Sequence, residues 1–230
     1  MNLIPFPFLL DIKKNQHLIS FSQDEIWGII NKVIESLYEE YPLYENFAMS
    51  INNELIDNAK DILRQGDLRS FKTFLESINQ ICGDNFVIYF SGWNKKEKND
   101  AIRRFENLIK ERYQLDQDVL EKIDFELFMG KYETTYGGIH REFCSNIQYV
   151  FYGKKSFLVW PPEYFENYKM KEKNQKDTNY QKEDYLLEKT SEEDITNGII
   201  LNGYPDNAFQ WWHVGISPDL SASMTLAFYD

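Results

Sequence analysis

Hydrophobic residues in the first half of the chain recur at helical spacing and are separated by turn residues. A capping-box pattern at residues 22–25 precedes the first of these stripes, so a helix is expected to begin there. The stripes together predict four helices, at residues 26–37, 55–66, 68–83 and 102–112. The apolar and aromatic run at residues 84–90 predicts a strand. Stripes of this kind usually face a core, so they carry no functional prediction.

From about residue 124 the pattern changes to short apolar runs of strand length. These runs predict five strands, at residues 125–129, 147–152, 156–160, 197–201 and 223–229. Short strands divided by turn residues favour a sandwich or barrel over alternating βαβ units. We therefore expect an α+β protein, with a mainly helical region at residues 1–120 packed on a β core at residues 121–230.

A polar segment interrupts the strand-rich half at about residues 163–196. It is dense in Lys, Glu, Asp, Asn and Gln and has few aliphatic residues. Such composition predicts a long surface loop or a partly disordered insertion.

Composition and charge narrow the classes of function. The 230 residues carry 25 basic and 37 acidic side chains, for a net charge of −12, and this surface would repel nucleic acids and anionic membranes. The apolar N-terminus is short and broken by Pro5 and Pro7, which is a poor signal peptide, and no apolar run is long enough to span a bilayer. Cys82 and Cys144 form no metal-binding spacing and are expected to be reduced thiols. A cytoplasmic location is therefore predicted.

Three histidines occur in the chain, and two of them stand in positions suited to metal binding. His140 and Glu142 are two residues apart, so on an extended segment their side chains project from one face. His213 precedes the last strand pattern and can supply a third ligand. Two imidazoles and one carboxylate with open positions are the ligand set of non-haem Fe(II) oxygenases. A lone His-x-Glu pair, however, is more often an ordinary surface or core pair.

The surrounding sequence is more specific than the pair itself. Residues 140–162 read HREFCSNIQYVFYGKKSFLVWPP, and residues 211–214 read WWHV. Over roughly residues 125–230, these segments resemble the JmjC and cupin-like Fe(II)/2-oxoglutarate-dependent oxygenases, which include protein hydroxylases and lysine demethylases. The resemblance implies a double-stranded β-helix, also called a jelly-roll or cupin fold, for the core.

The same resemblance implies the metal site and its chemistry. His140, Glu142 and His213 match the iron ligands and so are the expected catalytic and metal-binding residues. Fe(II), 2-oxoglutarate as cosubstrate and O2 are the implied cofactors. A retained carboxylate at Glu142 favours hydroxylation or demethylation over halogenation, because halogenases replace it with a small residue.

Further matches imply a cosubstrate pocket. By its spacing from His140, Lys155 matches the lysine that pairs with the distal carboxylate of 2-oxoglutarate. Asn146 matches a polar residue close to the cosubstrate. A hydroxyl group usually assists the lysine, and three adjacent residues offer one: Thr135 and, as open alternatives, Thr134 and Tyr136.

The substrate implied by the resemblance is a side chain of a peptide or protein, oxidised at a C–H bond. A free amino acid or a small natural product remains an alternative, and the oligomeric state is left open. Two further alternatives are a non-catalytic cupin-like metal-binding protein and a metal-dependent cupin enzyme that does not use 2-oxoglutarate. Lys155 distinguishes them, because 2-oxoglutarate use requires its side chain to point into the barrel.

Overall fold

The computed structural model describes most of the chain. The described residues are 8–10, 23–96, 103, 107, 110–111, 117–133, 135, 145–160, 191–196, 199–201 and 212–228. Most of the predicted helix at 102–112 lies outside this set, as do residues 163–190 of the predicted insertion.

Three of the predicted helices are present, with bounds within four residues of the predicted ones, and two short helices near residues 93 and 117 were not predicted. In chain order they are α1 (Gln23–Glu35), continued by the 3-10 turn Ser36–Tyr38, α2 (Ala59–Leu63), α3 (Phe71–Cys82), α4 (Trp93–Lys96) and α5 (Gln117–Glu121). A capping box between Ser70 and Thr73 starts α3, which ends at Gly83. Leu55 and Leu68, assigned by their spacing to α2 and α3, lie outside these helices.

The strands are antiparallel and form two sheets that share one strand. In chain order they are β1 (Phe8–Leu10), β2 (Asn46–Ile51), β3 (Glu54–Leu55), β4 (Phe86–Ser91), β5 (Ile123–Tyr132), β6 (Ser145–Tyr152), β7 (Lys154–Trp160), β8 (Ser191–Thr196), β9 (Ile199–Leu201) and β10 (Trp212–Phe228). The larger sheet has the order β1-β9-β6-β10-β5-β4-β2-β3, and the smaller sheet joins the start of β10 to β7 and β8.

All five strands predicted after residue 124 are present, and four of them are longer than predicted. The largest difference is β10, which begins at Trp212 rather than at residue 223. The predicted division near residue 120 remains a prediction, and the larger sheet continues across it because β4 pairs with β5.

The predicted loop at residues 163–196 is wrong for its last six residues. Ser191–Thr196 form β8, which pairs with β7 from Val159 to Lys154. Their charged sequence, SEEDIT, lacks the apolar alternation of a half-buried strand, and hydrogen bonding to β7 nevertheless makes it extended.

The larger sheet has one face that packs against the helices. Alternate residues of its central strands join α1 and α3 in one apolar core, among them Ile88, Leu127 and Met224. Phe74 of α3 is fully buried in that core. The opposite face of the same strands, here called the inner face, carries Tyr89 on β4, Glu126 and Phe128 on β5, and Ser221, Ser223 and Thr225 on β10.

Strand β10 bends sharply between the two sheets. Extension of the β7–β10 register places Lys155 opposite Ser217, yet the Lys155 ammonium contacts Ser223. Ser217 pairs with Tyr132 of β5 and Ser223 pairs with Phe128, four residues away along β5. If β10 were straight, Ser217 and Ser223 would therefore lie about 13 Å apart. A lysine side chain reaches only about 6 Å. The register shift between Ser217 and Ser221 is therefore a fold-back that lays the inner face over the smaller sheet.

Two further findings concern the helices and the cysteines. Among the described residues, no helix has the length and apolar character required to cross a membrane. Cys82 is a half-buried free thiol, and because Cys144 lies outside the described residues, the redox state of the pair remains a prediction.

Candidate active site

The smaller sheet directs a lysine and a histidine to the same side. His213 pairs with Val159, so His213 shares a face with every second residue of β7, including Lys155. Both side chains are buried, with 2% of Lys155 and 7% of His213 exposed. Lysine is rarely buried to this extent without a specific partner. The face that carries Lys155 and His213 therefore lines the interior between the two sheets.

The position of Lys155 depends on a tight turn. Gly153 separates β6 from β7 with a φ of +68°, a conformation that glycine adopts without strain. A Cβ at this position would overlap the carbonyl oxygen of Leu220 at the bend of β10. Lys154 is exposed and Lys155 is buried, as alternation along a strand requires.

The Lys155 ammonium is held by a hydroxyl and an aromatic ring. Its Nζ donates to Ser223 Oγ at 3.1 Å and lies 4.5 Å from the centre of the Phe128 ring. The hydroxyl oxygen and the negative face of the ring both favour a positive charge at this point. A buried ammonium in such a setting attracts an anionic ligand, and a carboxylate is one that matches its size and charge.

Further hydroxyl groups fix the bend of β10 beside this lysine. Ser217 Oγ donates to the carbonyl oxygen of Lys154 at 2.9 Å and also contacts Ser221 Oγ. Burial raises the pKa of Tyr132, and a hydrogen bond with Ser217 acts in the opposite direction. Because all three hydroxyl-bearing side chains are almost fully buried, their contacts tie the bend to the start of β7.

A second polar pair lies on the inner face beyond Phe128. Tyr89 donates its hydroxyl hydrogen to Glu126 Oε1 at 2.9 Å, and the Tyr89 and Phe128 rings lie 4.9 Å apart. Burial, followed by the negative charge of Glu126, raises the pKa of Tyr89. All three side chains are half-buried, whereas Leu127, which faces the core, is almost fully buried. On β4 and β5, the inner face is thus more accessible than the core face.

The structure describes only part of the predicted metal site. His140 and Glu142 lie outside the described residues, and His213 is the one predicted ligand within them. Within the described ranges, no group of three or more His, Cys, Asp or Glu side chains is arranged to hold a metal. The buried imidazole of His213 suits iron chemically, and its position on the interior face is compatible with a ligand role.

The other predicted site residues are described to different extents. Asn146 lies on β6, with its Cα opposite Ala227 of β10, and its side chain is outside the described part. Thr135 is half-buried between two residues that are not described, so its role remains a prediction. Ser223, which the sequence reasoning missed, contacts Lys155 directly. The alternation of Ser and Thr with apolar residues along β10 is the sequence signal that could have marked it as an inward-facing residue.

Comparisons with known proteins agree with this architecture. A family model described as cupin-like domain matches residues 41–217, which is well over half of the chain. The match and the two facing antiparallel sheets confirm the predicted α+β fold with a jelly-roll core. The comparison with curated protein sequences gave no match.

Among solved structures, the chain is similar to structures of the Escherichia coli ribosomal oxygenase YcfD. One is a complex with cobalt and 2-oxoglutarate, with 14% identity, a TM-score of 0.54, and coverage of 100% of this chain and 50% of that chain. Another is a complex with cobalt and succinic acid, with 14% identity, a TM-score of 0.53, and coverage of 100% and 49%. The chain spans about half the length of these structures, and at this identity the likeness concerns the fold.

Proposed function

The chain belongs to the cupin-like domain family, and from that premise we propose that it is an Fe(II)- and 2-oxoglutarate-dependent oxygenase that hydroxylates a C–H bond. The observation that carries the proposal is the buried ammonium of Lys155 on the same interior face as His213. Similar structures bind cobalt with 2-oxoglutarate or succinic acid, which supports this ligand chemistry.

Each described residue has a specific part in the proposal. Lys155 neutralises the distal carboxylate of 2-oxoglutarate, and Ser223 orients the ammonium through the hydrogen bond at 3.1 Å. His213, together with His140 and Glu142, holds the metal. When bound, the iron and 2-oxoglutarate supply the oxidising power that inserts one oxygen atom from O2 into a C–H bond, with succinate and CO2 as coproducts. The barrel excludes water and orients the reactants.

A side chain of a peptide or protein is the proposed substrate. The similar structures are of a ribosomal oxygenase, which supports a macromolecular target. A free amino acid or a small natural product is the alternative within the same reaction class. A cytoplasmic location remains a prediction.

The decisive experiment is succinate formation. Purified protein is incubated with Fe(II), ascorbate and 2-oxoglutarate, with and without candidate peptides, and succinate and peptide mass are measured. We expect succinate from the wild type and a mass gain of one oxygen on a substrate peptide. His140→Ala is expected to abolish both by removing a metal ligand. Lys155→Met removes the ammonium of the cosubstrate pocket and should also reduce succinate formation. Lys154→Met is its matched control, because this lysine precedes Lys155 and is exposed.

Two outcomes would contradict the proposal. Iron uptake without any binding of 2-oxoglutarate would favour a cupin enzyme that does not use this cosubstrate. Binding of both metal and 2-oxoglutarate without succinate formation, across a broad set of peptides and amino acids, would favour a non-catalytic cupin-like binding protein.

A further inference from the structure

The hydroxyl group of Ser217 lies at the centre of a buried hydrogen-bond network at the bend of β10. Its Oγ donates to the carbonyl oxygen of Lys154 at 2.9 Å and also contacts Ser221 Oγ. A further hydrogen bond joins it to Tyr132, its cross-strand neighbour on β5. A serine hydroxyl has one hydrogen and two lone pairs. Because that hydrogen goes to the Lys154 carbonyl, the other two hydroxyl groups must donate to Ser217, and the capacity of its oxygen is fully used.

The carbonyl that Ser217 holds belongs to the peptide group directly before Lys155. The ammonium at the other end of the Lys155 side chain donates to Ser223, on the far side of the bend. The start of β7 is therefore attached to both arms of β10, through its backbone to Ser217 and through the lysine side chain to Ser223. Ser217 is fully buried, and in such surroundings a hydrogen bond is stronger than in water.

Ser217 also stands on the arm of β10 that carries the candidate metal ligand. His213 is paired with β7 at a position four residues from Lys155, which corresponds to about 13 Å along the strands. The hydrogen bond from Ser217 to the carbonyl before Lys155 fixes the register of β7 and β10 beyond their last paired residues. This bond thereby helps to set the separation of His213 and the Lys155 ammonium.

The separation of these two groups limits the length of a ligand that reaches from one to the other. One methylene group lengthens an extended chain by roughly 1.3 Å, since its C–C bonds are about 1.5 Å long. Hydrogen bonds between hydroxyl and carbonyl oxygens vary in length by only about 0.5 Å. The bond from Ser217 at 2.9 Å thus restrains the start of β7 more tightly than the difference in length between two homologous ligands.

We propose that Ser217, supported by Tyr132 and Ser221, is a positioning residue that makes the pocket selective for the length of a 2-oxo dicarboxylate. The inference rests on the proposed function, because the ligand is the cosubstrate named there. Ser217 acts through Lys155 rather than on the ligand: it holds the lysine backbone so that the ammonium meets the distal carboxylate of the five-carbon acid. Without this hydroxyl group, the start of β7 can shift and a longer acid is accepted.

The test measures binding and needs no turnover. Titration calorimetry on the full chain loaded with Co(II) gives the Kd values of three acids: 2-oxoglutarate, 2-oxoadipate, which is one carbon longer, and 2-oxovalerate, which lacks the distal carboxylate. The wild type is expected to bind 2-oxoglutarate at least about tenfold more tightly than either of the others. In Ser217→Ala, the ratio of the Kd values for 2-oxoadipate and 2-oxoglutarate should fall roughly fivefold, the factor of one neutral hydrogen bond. The Kd of 2-oxovalerate should stay unchanged.

Two more variants separate positioning from general destabilisation. Ser36→Ala is the matched control, because Ser36 is a buried serine of the helical region whose Oγ donates to a backbone carbonyl, that of Val33, at 2.7 Å. This control should lower the free energy of unfolding and keep the wild-type ratio. Tyr132→Phe keeps the ring and removes one donor to Ser217, so the ratio should fall in the same direction by a smaller factor. This variant decides the question if Ser217→Ala does not fold.

Three results would overturn the proposal. The first is a wild-type ratio of Kd values in the folded Ser217→Ala or Tyr132→Phe protein. The second is an equal loss of affinity for all three acids in Ser217→Ala, because the serine would then act on the metal site or on the fold as a whole. The third is an equal fall of the ratio in Ser36→Ala. Failure of the proposed function looks different and overturns both: the wild type itself would bind 2-oxoglutarate no better than 2-oxovalerate.

Discussion

Replacement of Lys155 by methionine is the sharpest test of the cosubstrate pocket. Methionine keeps an unbranched apolar stem and removes the ammonium that contacts Ser223 and Phe128. Because the side chain is only 2% exposed, the change leaves the surface of the protein as it is. We expect a large loss of 2-oxoglutarate binding together with unchanged or increased stability of the ligand-free protein.

The magnitude follows from the burial of the charge. Loss of a hydrogen bond to a charged group in the interior reduces the binding free energy by about 1.5–3 kcal/mol. This corresponds to roughly a 10- to 150-fold increase in Kd. The stability of the ligand-free protein changes in the other direction, because replacing a buried charge by a well-packed apolar side chain is often neutral or stabilising.

Thermal unfolding with and without ligand measures both effects. At a 2-oxoglutarate concentration of about 100 times the wild-type Kd, with Co(II) present, ligand binding stabilises the wild type by about 2.7 kcal/mol. A 100-fold weaker variant gains only about 0.4 kcal/mol under the same conditions. The difference corresponds to a melting-temperature shift that is smaller by roughly 5–9 °C. Titration calorimetry gives the two Kd values directly.

Two controls make the result specific. Lys154→Met changes an exposed lysine and should keep the wild-type shift. Ser223→Ala removes the hydroxyl that orients Nζ and should weaken binding less than Lys155→Met does. If Lys155→Met bound 2-oxoglutarate with wild-type affinity, the proposed role of this lysine would be refuted. That result would favour a cupin enzyme that does not use 2-oxoglutarate, or a non-catalytic cupin-like metal-binding protein.

Three further predictions concern the scaffold. Gly153→Ala should lower the free energy of unfolding by more than about 1 kcal/mol in urea denaturation, because φ is +68° and a Cβ would overlap the Leu220 carbonyl; an unchanged midpoint would contradict this. Burial raises the pKa of Asp124, whose Oδ1 accepts the Gly92 N–H at 2.7 Å. The folded state therefore binds this proton more tightly than the unfolded chain, and the stabilisation is lost as pH rises through the raised pKa. Asp124→Asn should accordingly gain stability relative to the wild type as the pH rises above the ordinary carboxyl pKa of about 4, and a difference that stays constant with pH would contradict this. Burial raises the pKa of Cys82 from 9.0 to about 11, so alkylation of this thiol at pH 8, read by peptide mass mapping, should be roughly 100-fold slower than in the unfolded chain, and equal rates would count against it.

The sequence predicted helices with a clear apolar stripe better than strands whose extended form depends on pairing with another strand. α3 has an apolar stripe that is readable from the sequence, although its cap at Ser70 places its first residue three positions after the predicted start. β2 was missed because Asn46–Ile51 has only partial alternation, and its extended form comes from pairing with β4. The same reason applies to β8, where charged residues are held extended by β7. Pairing between distant segments overrides local preference in these strands.

In the candidate active site, too, the sequence predicted one residue and missed another. The spacing and family pattern pointed to Lys155, and the structure buries it on the face shared with His213. Ser223 was not found, because its contact with Lys155 joins residues 68 positions apart across a bend. No local pattern specifies that the start of β7 meets the second half of β10. The bend arises from the register shift after Ser217, which only the paired strands reveal.

The composition of β10 itself argues for an interior that holds a ligand. After the bend, residues on the core side are apolar, while Ser221, Ser223 and Thr225 face inward and are almost fully buried. A barrel selected for stability alone would fill this face with large aliphatic side chains, because each buried hydroxyl must recover its lost hydration through hydrogen bonds. Small hydroxyl-bearing side chains stand there instead, and one of them, Ser223, accepts a hydrogen bond from the Lys155 ammonium. Hydroxyl-bearing side chains stabilise the ligand-free fold less than aliphatic ones would. A small anion that binds beside them would offset this difference, because a ligand that binds only the folded state stabilises it.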